Sequence, residues 1–211
     1  MSNYLAWAVI PLVLLIVVTP IFYVLPTSRD KYLTTLRLRA KNSGYLVKMA
    51  SLDKRDVSES ELVRSSGRVL QPKYQLMSYT QLIQSKVDFH HSFLFRRISD
   101  RTPQSISRLS ENWGLVMETT QINGTAESNN RAFFLDKYAN ELMSIFQALP
   151  LDVHGISIDS KRLIIFWNES QGTISKRKRL SNEKIEQKAQ ENLEPIKVCF
   201  SELENLIDQI S

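Results

Sequence analysis

The sequence predicts an α+β protein. One N-terminal transmembrane helix should lead into a cytoplasmic domain of mixed helices and antiparallel sheet, and a C-terminal helical segment should follow. Three observations carry this expectation. Tyr4 to Leu25 (YLAWAVIPLVLLIVVTPIFYVL) holds no charged side chain. Short runs rich in Val, Ile, Phe and Trp follow, divided by polar turns as strands are. Two later stretches, 130–149 and 181–211, repeat apolar residues every three or four positions, the spacing of a helix face. The expected boundaries are residues 1–25 for the anchor, 26–170 for the domain, and 171–211 for a basic linker with amphipathic helices.

A hydrocarbon core about 30 Å thick needs roughly 20 helical residues at about 1.5 Å rise each. Tyr4–Leu25 has that length, with Tyr4, Trp7 and Tyr23 where interfacial aromatics usually lie. A cleaved signal would want a basic start and a small-residue exit, and neither is present. No basic residue precedes the run, while Arg29, Lys31, Arg37, Arg39, Lys41, Lys48, Lys54 and Arg55 follow it. By the positive-inside rule the N-terminus is expected outside and the domain in the cytoplasm, at the inner membrane.

The next element is a helix. Thr27 or Ser28 caps it, Asp30 sits in its first turn, and Leu33, Leu36 and Ala40 form its apolar stripe. Gly44 suits the left-handed stop. Residues 45–50 (YLVKMA) read as a strand and 51–68 as an exposed loop. Strands are expected within 69–79, 87–98 and 113–120, with Phe89, Phe93 and Phe95 on one face of the second. A polar turn around Asn123-Gly124 precedes a helix over 130–149, which Pro150 ends. Residues 153–158 and 162–167 read as two strands of a hairpin around 159–161. After the basic run 176–179 (KRKR), apolar residues at 189, 193, 196, 200, 203, 207 and 210 form a heptad seam. Pro195 is expected to break the seam and start a second helical segment.

Composition sets further bounds. Apolar residues make up 43% and charged ones 23%, ordinary values for a globular domain. A single cysteine excludes an internal disulfide. His90 and His91 alternate faces in a strand and cannot chelate one metal. His154 is isolated, and Cys199 has no base beside it in sequence. No phosphate loop, nucleophile elbow or zinc-helix motif is present. No catalytic residue, cofactor or metal is therefore expected. Asn123-Gly-Thr and Asn168-Glu-Ser read as turns. The lipid bilayer is the expected surroundings, with Arg29, Lys31, Arg37, Arg39 and Lys41 facing anionic headgroups. Leu193, Ile196, Phe200, Leu203, Ile207 and Ile210 are the expected face for a partner helix, a membrane protein or a second copy. The alternative is that this face packs on the domain's own sheet. Nucleic acid is not an expected partner, because the basic runs lack interleaved aromatics.

Residues 26–49 (PTSRDKYLTTLRLRAKNSGYLVKM) carry a resemblance. Pro26, Thr27, Arg29, Leu36, Arg37, Ala40, Gly44 and Val47 resemble a pattern of single-pass inner-membrane proteins from gammaproteobacteria. The stretches 148–153 (ALPLDV) and 163–167 (LIIFW) are similar to the ending of that group. Some of its members are labelled YajC-like translocase subunits, though this chain is about twice the length of YajC and lacks its Gly-rich strand region. The resemblance implies an accessory role and brings no catalytic residues. The expected function is a non-enzymatic, membrane-tethered scaffold or accessory subunit of an inner-membrane complex. The alternatives are an enzyme at the inner-membrane surface or a translocase-accessory protein.

Overall fold

The computed structural model describes residues 26–54, 72–83, 92–98, 107–116, 137–159, 161–169 and 180–210. Its elements run in the order α1 (Ser28–Asn42), β1 (Leu46–Asp53), β2 (Lys73–Leu82), β3 (Phe93–Arg97), β4 (Ser107–Arg108) and β5 (Trp113–Val116). They continue with α2, described over 137–147, then β6 (Val153–Asp159), β7 (Arg162–Trp167) and α3 (Asn182–Ile210). Six strands of four residues or more and the two-residue β4 form one sheet, ordered β1-β2-β7-β6-β3-β5-β4. Every neighbouring pair is antiparallel. The α+β part of the expectation therefore stands.

Its membrane part is corrected. Among the described residues no helix is long and apolar enough to cross a membrane. The α1 helix is short and carries Arg29, Lys31, Arg37, Arg39 and Lys41, and α3 is long but charged along most of its turns. Residues 4–25, on which the transmembrane expectation rested, lie outside the described residues.

The α1 helix begins where a cap is available. The Thr27 hydroxyl accepts from the Asp30 backbone N–H at 3.2 Å, and the Asp30 carboxylate accepts from the Thr27 N–H at 3.0 Å. Two orphan amides are thereby satisfied reciprocally. At the other end the Gly44 N–H reaches the Lys41 carbonyl and the Tyr45 N–H reaches that of Ala40. That pattern is the Schellman stop, and it needs the left-handed φ of +89° that Gly44 adopts. The chain turns straight into β1.

One face of the sheet takes the three described helices. Register puts Tyr79, Ile165 and Ile156 in line across β2, β7 and β6, and Phe95 and Leu115 continue the row. These side chains share one core with Tyr32, Leu36 and Ala40 of α1, Leu142 and Phe146 of α2, and the inward face of α3. Phe146 meets Phe95 and Trp113 with ring centroids 5.1 Å apart in each case, so α2 covers the β3–β5 half. The α1 and α3 helices pack on each other over the β1–β2–β7 half. On the opposite face Ile98, Val116 and Leu94 form a second small cluster.

Two further expectations change. The α3 helix is a single helix of 29 residues with Pro195 inside it, where Pro195 was expected to open a new segment. Residues 182–210 are also no appendage beyond the domain, because their buried side chains belong to the main core. The expected loop from 51 yields its first three residues to β1.

Candidate functional site

The polar feature built most deeply into the fold joins α1 to the ends of β2 and β7. Arg37 points from α1 across to Glu169, two residues beyond β7. Its Nε and Nη2 donate to Glu169 Oε2 at 2.8 and 2.6 Å. Tyr79 in β2 donates its hydroxyl to Glu169 Oε1 at 2.5 Å. The Glu169 side chain is only 3% exposed, whereas that of Arg37 is 40% exposed. A buried carboxylate is costly unless paired and hydrogen-bonded, and here both oxygens are engaged. The bond to Glu169 raises Arg37 above the usual guanidinium range, against the effect of its partial burial. Burial, reinforced by the Glu169 charge, pushes the Tyr79 phenol far above its usual value. Tyr79 therefore stays a neutral donor.

Beside this network lies a cavity of about 180 Å³. Leu33, Met49, Met77 and Trp167 supply its apolar wall, and Arg37 and Glu169 its polar end. Two donors of these residues have no acceptor among the described residues. The Trp167 indole N–H is buried without a partner, and Arg37 Nη1 has no acceptor among the described residues. The indole nitrogen has no exposed surface, so it offers no bond to a ligand in the cavity. Both Glu169 oxygens already accept hydrogen bonds, and burial favours the neutral form of the Tyr79 phenol. A second, more open hollow of about 430 Å³ lies between the starts of α1 and α3, lined in part by Lys31, Thr34 and Ile185.

The residues singled out from sequence are distributed otherwise than expected. Leu193, Ile196, Phe200, Leu203 and Ile207 are 2% exposed or less and sit in the domain's own core. Their face is occupied by the domain itself, with Phe200 stacked on Tyr45 at 4.9 Å, and it is not free for a partner helix. The Ile210 side chain lies outside the described residues. Of the expected headgroup contacts, Arg37 is tied to Glu169, and Arg39 reaches Gln190 and Glu186 of α3 at 3.2 and 3.5 Å. Arg29 Nε is buried without a partner, while Lys31 and Lys41 are exposed. Cys199 is buried, and burial pushes its thiol well above the usual range. A thiol so placed is a poor nucleophile. His154 faces the Tyr74 ring at 4.7 Å. His90, His91 and residues 176–179 lie outside the described residues. Among the described residues no three His, Cys, Asp or Glu side chains converge on one point.

Sequence reasoning missed Glu169, Tyr79 and Trp167. Glu169 was visible only as the middle of a turn-like triplet, and it lies 132 residues from Arg37. No local spacing connects them. No protein-family model matches this chain, and no curated protein or solved structure matches it.

Proposed function

We propose that this chain is a non-enzymatic scaffold or accessory subunit of an inner-membrane complex and that its α+β domain works by holding a protein partner. One observation carries the reading. The eight-residue β1 forms one edge of the sheet, and the backbone groups of its outer side have no partner among the described residues. Exposed apolar side chains stand along it, Leu46 at 48% and Met49 at 75%. A long unpaired edge with exposed apolar residues is a template for another chain. The network that would be the natural candidate for catalysis spends its bonds on holding α1 to the sheet.

The inner-membrane location, with the domain on the cytoplasmic side, rests on sequence alone: the uncharged residues 4–25 and the basic residues after them. Protease treatment of spheroplasts and of inverted vesicles tests it. Cleavage of the domain in inverted vesicles only is expected, and cleavage in spheroplasts overturns that location.

The functional reading is tested by crosslinking and purification of the full chain from native membranes, beside a Leu46→Lys, Met49→Lys double variant. The expected result is a defined set of proteins captured by the wild type and lost at least tenfold in the variant, with folding retained. Equal capture by both removes the β1 edge as the working surface.

A further inference from the structure

We infer that the β1 edge and the cavity beside it form one peptide-binding site, which takes an extended acidic strand with a single apolar side chain anchored in the cavity. The inference rests on the interaction-module reading and names the partner's chemistry.

The edge has a defined polarity. The Lys54 N–H points inward to the Pro72 carbonyl, so the antiparallel ladder turns the amides of even-numbered residues toward β2. Val47, Met49 and Ser51 then present their N–H and C=O groups outward. No hydrogen bond engages these groups among the described residues. An added strand would pair with these three residues, gaining main-chain hydrogen bonds as strand addition does.

The added strand also has two distinguishable faces. Register places Met49 opposite Met77, and Met77 opposite Trp167, on the helix-covered side of the sheet. Alternate side chains of an added strand would emerge on that side, next to Met49 at the cavity wall. A cavity of about 150 Å³ admits a benzene ring, so one of about 180 Å³ takes a ring or a branched aliphatic side chain. The intervening side chains would lie on the other side, beside Lys48. Lys48 is exposed and has no carboxylate partner among the described residues. An acidic residue on the incoming strand complements it. The same lysine disfavours a second copy, because pairing β1 with itself crowds Lys48 and Lys54 of both chains onto one face.

The test uses the full chain in detergent and a fluorescein-labelled, end-blocked octapeptide alternating Thr and Glu, with Phe replacing one central Thr. Fluorescence anisotropy is expected to give saturable binding. Replacing Phe by Ala, or every Glu by Lys, should weaken it at least tenfold. Ser51→Pro removes an outward N–H that folding does not use, and it should weaken binding at least tenfold while the thermal midpoint stays within a few degrees. Lys48→Glu should reverse the preference toward the Lys peptide. Absence of saturable binding to the wild type overturns the inference, as does unchanged affinity in folded Ser51→Pro or Lys48→Glu. A peptide-independent dimer that Ser51→Pro dissociates in sedimentation assigns the edge to a second copy and also overturns it. Failure of peptide binding with native partners still lost from the double lysine variant rejects this ligand class and leaves the interaction-module reading in place.

Discussion

Glu169 shows how one side chain sets local energetics. Its carboxylate lies nine-tenths or more out of water and is stabilised by three donors from two other elements. Replacing it by Gln keeps the volume and removes the charge, leaving Arg37 partly uncompensated and Tyr79 with a weaker acceptor. Glu169→Gln is expected to cost about 1–3 kcal/mol in urea denaturation. Arg37→Gln is expected to cost more than Glu169→Gln, because it leaves a carboxylate only 3% exposed with Tyr79 as its remaining donor, whereas Arg37, 40% exposed, can turn to water when Glu169 is neutralised. A ranking in the opposite order would mean that burial of the Glu169 charge does not set the cost. The residues of α1 that do this work were all legible as basic or apolar. Which of them would find a carboxylate was not, since that depends on a chain crossing far away in sequence.

Among the elements, those whose signals are local were read most closely. The Thr27–Asp30 cap and the Gly44 stop bound α1 as expected, because both ends are decided by residues within one turn. The β6–β7 hairpin also lies where alternation placed it. The α3 helix was legible as an apolar seam, yet the seam's destination was not: the same spacing serves a partner helix or the chain's own sheet. Pro195 misled because a helix held on both sides by tertiary packing tolerates the lost hydrogen bond. A close approach that sequence could not show occurs at Gly155, beside a register shift in β6. A Cβ there would lie 3.1 Å from the Phe95 carbonyl and 3.4 Å from Leu52 Cδ1. Gly155→Val is therefore expected to destabilise by about 1–3 kcal/mol, read as a lower midpoint in thermal unfolding.

At the scale of the whole molecule, the C-terminal helix decides whether there is a domain. Ile185, Ala189, Leu193, Ile196, Phe200 and Leu203 are buried in the core shared with the sheet. Removing residues 182–211 would expose that apolar face and the strands beneath it. The truncated chain is expected to lose cooperative unfolding and to aggregate, checked by circular dichroism and gel filtration. A monomeric product with native sheet content would show that the helix is an accessory after all. Composition, turns and periodicity alone settled an α+β domain, both ends of α1, the closing hairpin and the apolar seam, because each arises from neighbours in sequence. Tertiary structure decided that the seam is core, that Arg37 serves Glu169, and that β1 ends the sheet beside a cavity. Those outcomes depend on which surfaces meet after the chain has folded, and contacts across more than a hundred residues leave no periodic trace.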